Sequence, residues 1–148
     1  MAVKPIPEGY HTVTPYLVSE DAEALLTFLK KAFDAKEVDV VRVENDAIMH
    51  GDVLIGDSHV MFAQANERFP PMKAGLYLYV PDVDATYKAA LAAGATSTQE
   101  PANQFYGDRS AGVTDSLGNM WWLGTHVEDV SPEEMERRMK QAAAERAT

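Results

Sequence analysis

The same order of structural signals occurs twice in this chain of 148 residues, and corresponding points are 62 positions apart. Val18 and Val80 end the first apolar strand of each half, and Gly56 and Gly118 mark the last hairpin of each half. Between these points, each half carries an apolar stripe with helical spacing and then three β-rich segments. The repeat predicts an α+β fold of two βαβββ modules, each a curved mixed sheet with one helix.

The boundaries follow from the turn and loop signals. We expect the first module to cover residues 11–65 and the second to cover residues 74–127, with a loop that contains Pro70 and Pro71 between them. A further helix is predicted over residues 131–146, because Ser131 and Pro132 are favourable residues at a helix start. A chain of this length is expected to fold as one domain, residues 1–148.

Composition limits the partners of the protein. The formal charge of −10 argues against nucleic acid, whose phosphates require a basic surface. The acidic surface either attracts a cationic or neutral small molecule or only maintains solubility. No apolar run approaches the roughly 18 residues of a membrane span, and no cysteine is present. We therefore expect a cytoplasmic protein that binds a small molecule and contacts neither membrane nor nucleic acid.

Aromatic side chains are expected to line the space between the two sheets. Successive side chains of a strand point to opposite faces, so a common direction can be assigned to alternate positions. If Trp122 faces the cup, the register places five further side chains beside it: Val60, Phe62, Tyr77, Tyr79 and Met120. These residues predict a largely apolar small-molecule site, although the same residues would also suit an ordinary sheet core.

The segment QFYGDR, residues 104–109, supplies candidate polar contacts at the mouth of this cup. The guanidinium of Arg109 could hold a carboxylate, phosphate or enolate oxygen of a ligand. Tyr106 and Gln104 would then add a ring edge and an amide. The alternative is that Arg109 forms a salt bridge with Asp108 or Asp115 and only holds the loop.

Residues 113–123, VTDSLGNMWWL, resemble the terminal hairpin of the vicinal oxygen chelate superfamily. That superfamily includes glyoxalase I, extradiol dioxygenases and bleomycin-resistance proteins. The segment QFYGDR, the later D-x-x-G-x-x-W-W pattern and the tail THVEDVSPEEMERRM more narrowly resemble the PhnB-like branch. The resemblance implies two modules around a cup, and it implies a homodimer because these folds commonly pair their sheets between two copies.

The resemblance also implies one metal ligand on the first and last strand of each module. Counting from the hairpin glycines and the first strands places these ligands at four positions: Val13, Val60, Gly75 and Trp122. Since none of these side chains has the lone pairs that a divalent cation needs, we expect neither the metal of the superfamily nor another cofactor.

A different metal site is the alternative. His50 and Asp52 share one strand face and, with a third histidine, would resemble a 2-His-1-carboxylate iron site. The third ligand would come from one of the remaining histidines: His11, His59 or His126.

The sequence therefore predicts a protein that holds a small organic ligand in an aromatic cup, and no catalytic residue can be assigned. Whether the protein is an enzyme stays open. One alternative is a metal-dependent lyase, isomerase or dioxygenase whose ligands occupy other positions than those counted above. Another is a partner-binding module that uses Met135 and Met139 of the last helix.

Overall fold

A computed structural model of the protein describes residues 2–147. Its elements, in chain order, are β1 (Tyr16–Ser19), α1 (Ala22–Phe33), β2 (Lys36–Arg42), β3 (Ile48–Ile55), β4 (Ser58–Gln64), β5 (Gly75–Tyr79), α2 (Val83–Ala92), β6 (Thr96–Asn103), β7 (Asp108–Thr114), β8 (Met120–His126) and α3 (Pro132–Ala147). The predicted fold of two βαβββ modules and a C-terminal helix is confirmed. Strand β1 begins at Tyr16, later than the sequence suggested.

Each module forms one four-stranded mixed sheet. The strand order is β1-β4-β3-β2 in the first module and β5-β8-β7-β6 in the second. In both sheets the first strand runs parallel to the last strand of the module, and the other neighbours are antiparallel. The parallel pair requires a crossover connection, and helices α1 and α2 provide it.

Helix α1 illustrates how sequence pattern produces packing. Its apolar residues recur every three or four positions, and seven side chains of the helix are buried as a result. The helix begins at Asp21, whose carboxylate accepts a hydrogen bond from the Ala24 backbone N–H, while Ser19 Oγ accepts from the Asp21 N–H. It ends at Asp34, which adopts the left-handed conformation (φ 54°) common at helix ends.

One hydrophobic core joins the two modules. Trp121 of β8 is fully buried, and its ring centroid lies 5.0 Å from that of Phe33 and 6.5 Å from that of Phe28, both on α1. Helices α1 and α2 also pack against each other. Each sheet therefore has a core face, turned toward the helices, and an opposite face that we call the helix-free face.

Helix α3 has no buried residue. Arg138 fastens it to the body, because its guanidinium contacts both oxygens of Glu128 at 2.7 and 3.0 Å and donates to the Phe105 carbonyl at 3.1 Å. Within residues 2–147, no helix is both long and apolar enough to cross a membrane.

Candidate functional site

Four of the predicted ligand-binding side chains share the helix-free face of the second module. Strand pairing sets Tyr77 beside Trp122 and places Met120 and Tyr79 on the same face, since each lies two residues away along its strand. Trp122 is 41% exposed and Tyr79 is 67% exposed. These side chains therefore form an aromatic wall on the side of the sheet opposite Trp121, and its contact with a ligand stays a prediction.

Glycines allow these rings to lie along the sheet. A Cβ on Gly124 would overlap the hydroxyl end of Tyr77, and a Cβ on Gly75 would come within 3.0 Å of the Trp122 ring. Contacts this close exclude larger residues at both positions unless the rings move. The second module thus covers its own helix-free face with aromatic side chains.

Asp108 organises one end of this wall. Its buried carboxylate accepts hydrogen bonds from the hydroxyls of Tyr77 (3.0 Å) and Tyr79 (2.9 Å) and contacts His126 Nδ1 at 2.9 Å. The other ring nitrogen of His126 lies 2.8 Å from Asp129. Both nitrogens of the imidazole are therefore held by carboxylates, a geometry that suits the protonated ring.

The pKa shifts follow from this geometry. Burial would raise the pKa of Asp108, but hydrogen bonds from His126, Tyr79 and Tyr77 outweigh it, so the pKa lies below its usual value. The pKa of His126 is raised, first by the hydrogen bond to Asp108 and then by the one to Asp129. Burial and the bond to Asp108 raise the pKa of Tyr77. The phenols of Tyr77 and Tyr79 are thus neutral at pH 7 and donate to the Asp108 carboxylate.

The loop between β6 and β7 carries the predicted Gln104 and Tyr106. Tyr106 is 37% exposed and lies close enough to Tyr77 and Tyr79 to contribute to the raised pKa of both, after their burial and their bonds to Asp108. The side-chain amide of Gln104 donates to the Ala102 carbonyl at 3.5 Å, at the limit of a hydrogen bond. Tyr106 therefore borders the wall, whereas Gln104 is engaged within its own loop.

Arg109 is placed differently from the expectation. It lies within strand β7 and points to the core side, where its guanidinium contacts both carboxylate oxygens of Asp84 at 2.7 and 3.0 Å. A third contact joins it to Asn103. Asp84 belongs to the first turn of α2, so Arg109 ties the helix to the sheet. The expected placement at the mouth of the cup is wrong, as is the pairing with Asp108 or Asp115.

Phe62 and Val60 also point away from the helix-free face. Both are buried in the core, and the Phe62 ring fills the space beside Gly51. The count from the hairpin glycine put them on the side of Trp122. That count was wrong because the two hairpins differ in length: two residues separate the paired Ile55 and Ser58, whereas five separate Thr114 and Met120. The two turn lengths differ by three residues, an odd number. Positions that correspond by the count from the glycine therefore lie on opposite faces of their sheets.

An open cavity of about 790 Å³ lies on the helix-free face of the first module. Its apolar lining comes from β1, the β2–β3 connection, β3, β4 and the loop before β5, and it includes Tyr16, Val18, Met49, Ala63, Phe69 and Met72. Three amides complete it, Asn45, Gln64 and Asn66, and no charged side chain of the described residues lines it. None of the residues predicted as a ligand wall belongs to this cavity.

The amides of this lining are partly used within their own segments. The side-chain oxygen of Asn45 accepts from the Ala47 N–H at 3.3 Å, and that of Asn66 accepts from the Phe69 N–H at 2.8 Å. Gln64 bonds through both of its amide atoms to the start of α1. Asn45 and Asn66 can therefore offer a ligand their N–H groups, which are hydrogen-bond donors.

The metal of the superfamily does not fit the residues that face one another here. Val13 precedes β1 and Val60 lies in the core, so the counted positions do not form a site. The residues that do pair across first and last strands on the helix-free faces are Tyr16 with Met61, Val18 with Ala63, Gly75 with Met120, Tyr77 with Trp122 and Tyr79 with Gly124. None is an imidazole or a carboxylate, the usual ligands of such a metal.

His50 and Asp52 do not assemble a second metal site. Nδ1 of His50 lies 3.3 Å from the Tyr16 hydroxyl, while Asp52 contacts Nδ1 of His59 at 2.9 Å and accepts a hydrogen bond from Tyr10. Over residues 2–147, no group of three or more His, Cys, Asp or Glu side chains is arranged to hold a metal ion.

Sequence reasoning missed two features of the site. The cavity residues Tyr16 and Val18 alternate along β1, and this alternation is a signal that the sequence contains. The position of Tyr10 had no signal, because it lies in an irregular segment before β1 and its partners are far along the chain.

The profile of the Glyoxalase/Bleomycin resistance protein/Dioxygenase superfamily matches residues 10–123, most of the chain. The chain therefore belongs to this superfamily, as the terminal hairpin indicated.

Similar proteins add no assigned activity. An uncharacterised protein of Mycobacterium bovis is 33% identical over 141 residues, which cover 86% of this chain and 91% of that protein. Among solved structures, TioX from Micromonospora sp. ML1 is 22% identical with a TM-score of 0.69, over 79% of this chain and 99% of TioX. A glyoxalase/bleomycin resistance protein/dioxygenase family enzyme from Burkholderia phytofirmans PsJN is 20% identical with a TM-score of 0.64, over 77% and 97% of the two chains. These structures share the fold.

Proposed function

We propose that the protein binds an uncharged organic molecule in the cavity of its first module and holds it without the metal of the superfamily. The observation that carries this proposal is the cavity itself, whose volume of about 790 Å³ is in the range of small-molecule sites. Its lining is apolar and aromatic with two amide donors, so the preferred ligand has an apolar body and a carbonyl, ether or similar acceptor oxygen.

Charge and chemistry both support binding of a neutral molecule. A charged ligand would lose its hydration against Val18, Met49 and Phe69 without an opposite charge in the lining. Tyr16 supplies the hydroxyl of the lining, and this hydroxyl already contacts His50. This lining contains neither a nucleophile with a base nor a pair of carboxylates, and it therefore favours retention of a ligand over its conversion.

We also place the chain in the PhnB-like branch of the superfamily, and the packing of its motif residues supports this. Asp115 is buried and accepts hydrogen bonds from the Asn119 side chain and from Nε1 of Trp121, at 3.0 and 2.9 Å. It also accepts from the backbone of the turn that contains Gly118, whose φ is +90°. The D-x-x-G-x-x-W pattern is thus a self-contained hairpin that positions Trp122 on the opposite face.

A homodimer would unite the two halves of the proposed site. The cavity is lined by the first module and the connecting loop, whereas Tyr77, Tyr79 and Trp122 are 40–67% exposed on the second. A second copy could lay this aromatic wall over the open cavity and remove both surfaces from water. An exposed aromatic patch of this kind is typical of an interface.

Binding can be tested with N-phenyl-1-naphthylamine, a neutral probe whose fluorescence rises in apolar surroundings. We expect saturable binding to the protein, and we expect Ala63→Phe, which fills the cavity, to weaken it at least tenfold. Ala102→Phe, at an exposed position of β6, is the matched control and should change the affinity less than twofold. Equal affinity in the Ala63→Phe and Ala102→Phe proteins would show that the cavity is not the site.

The dimer can be tested by sedimentation velocity. Tyr79→Glu places a charge on the exposed wall, and we expect it to shift the protein from dimer to monomer. Glu100→Gln is the control, on an exposed position of the same sheet. A protein that is already a monomer at tens of micromolar would contradict this part of the proposal.

A further inference from the structure

Tyr10 occupies a defined site on the helix-free face of the first module. Its ring stacks on that of His59, with centroids 3.7 Å apart and planes 18° from parallel. Its hydroxyl donates a short hydrogen bond to Oδ2 of Asp52. A flat ring with one hydroxyl is thus recognised by stacking on one side and by a carboxylate at its polar end.

The groups that hold Tyr10 are fixed by the strands. Asp52 is 3% exposed, and its second oxygen contacts Nδ1 of His59 at 2.9 Å. Asp52 pairs with Met61 across the sheet, and His59 lies two residues before Met61 on the same strand. The carboxylate and the imidazole therefore orient each other through a contact that does not involve Tyr10.

The segment that delivers Tyr10 has few other attachments. Among the described residues before Pro15, the remaining side-chain hydrogen bonds are local, from Lys4 to Glu8 and from Thr14 to the His11 carbonyl. The segment contains neither helix nor strand. Tyr10 is its main side-chain anchor on the sheet, so the ring can leave without disturbing the fold.

We propose that Asp52 and His59 form a binding subsite for a phenol, which Tyr10 fills in the free protein and which the phenolic ring of a ligand fills after displacing it. The subsite lies on the same sheet face as the cavity: Asp52 pairs with Met61, and Met61 is two positions along β4, about 7 Å, from the cavity residue Ala63. Binding of a phenol at this subsite does not require a ligand in the cavity.

The chemistry of the subsite selects a neutral phenol. Asp52 requires a donor, and His59 offers a flat face to a ring of similar size. Asp39 pairs with Asp52 across the sheet, so a phenolate or carboxylate would meet two negative groups. The hydrogen bond to Asp52 raises the pKa of Tyr10, as do burial and the charges of Asp52 and Asp39, which keeps the occupant a donor.

The test uses 4-methylphenol, which is the side chain of tyrosine as a free molecule. Binding to the full-length wild-type and Tyr10→Ala proteins is measured by ligand-observed NMR titration. We expect the Tyr10→Ala protein to bind 4-methylphenol at least tenfold more tightly than the wild type, because the competing ring is gone. Circular dichroism melting checks that the variant is folded.

Two further ligands separate recognition of the hydroxyl from apolar contact. Toluene lacks the hydroxyl, and 4-methylanisole retains the oxygen but cannot donate, so both should bind the Tyr10→Ala protein at least tenfold more weakly than 4-methylphenol. Equal affinities of the wild type and the variant for 4-methylphenol would overturn the proposal, and so would equal affinities of the variant for all three compounds. Binding of N-phenyl-1-naphthylamine to the same samples reports on the cavity separately.

Discussion

The two helix-free faces have the same strand order but different contents. In the first module the residues Tyr16, Val18 and Ala63 leave an open cavity beside the Asp52 subsite. In the second module Tyr77 and Trp122 lie flat over glycines and cover the sheet. On the helix-free faces, a repeated backbone has thus produced a cavity in the first module and an aromatic wall in the second.

This difference arises from side-chain size at a few positions. Gly75 and Gly124 make room for large rings against the second sheet, whereas the smaller side chains Val18 and Ala63 leave space beside Tyr16 on the first sheet. Fold similarity between modules therefore does not imply similar roles.

Substitutions in the last hairpins of the two modules should differ most in their effect on stability. Asp115→Ala removes the acceptor of several buried donors, including Trp121 Nε1, and we expect it to lower the free energy of unfolding by about 3 kcal/mol or more. Asp57→Ala, in the exposed two-residue turn of the first module, should stay within about 0.5 kcal/mol of wild type. Urea unfolding measures both, and equal losses would refute the structural role assigned to Asp115.

Replacement of the two glycines that lie beneath aromatic rings should lower the stability by unequal amounts. Gly51→Ala pushes a methyl group into the enclosed ring of Phe62, which cannot leave the core, and should cost about 2 kcal/mol. Gly124→Ala meets the hydroxyl end of Tyr77, which can swing into solvent, and should cost about 1 kcal/mol. Urea unfolding of the two variants tests this order. A larger loss for Gly124→Ala would mean that Tyr77 is held more rigidly than the core ring of Phe62.

The smallest expected effect is the pH dependence of the Asp108 cluster. The pKa of His126 is raised on folding. Its contribution to the free energy of unfolding is therefore complete below the pKa of the unfolded state, about 6.5, and is lost as the pH rises through the pKa of the folded state. The pKa of Asp108 is lowered on folding. Its contribution to the free energy of unfolding is therefore present above about pH 4 and is lost as the pH falls through the pKa of the folded state. The stabilisation should therefore be greatest from about pH 4 to 6.5.

Thermal melting of wild type and His126→Gln across this range measures that contribution. We expect the difference in Tm to be largest near pH 5.5 and to shrink above pH 7. A difference that grows as the pH rises would show that His126 is held in its neutral form.

Much of the fold was predictable from the sequence because local signals and the repeat agree. The stripe of α1, the alternation of the strands and the turn glycines all pointed to two βαβββ modules, and the hairpin VTDSLGNMWWL indicated the superfamily. On the second module, alternation along one strand and its neighbour also placed Tyr77, Tyr79, Met120 and Trp122 on one face.

The remaining errors have physical causes. The face of Phe62 depended on the length of a turn, and a count from Gly56 did not reveal that the two turns differ by an odd number of residues. Arg109 was expected to lie in the loop, but strand β7 begins at Asp108. Arg109 is therefore a strand residue, and its side chain points toward Asp84. The pairing of Tyr10 with Asp52 spans 42 positions and follows no periodicity.

Methionine methyl groups offer the most direct test of where a ligand binds. Met49 and Met72 line the cavity, Met120 lies on the second face, and Met135 and Met139 lie on α3. In a ¹³C-methyl NMR titration with N-phenyl-1-naphthylamine, we expect the resonances of Met49 and Met72 to shift with saturation, while those of Met135 and Met139 stay in place. If Met120 shifts and both cavity methionines do not, the ligand belongs to the second module and the central claim is wrong.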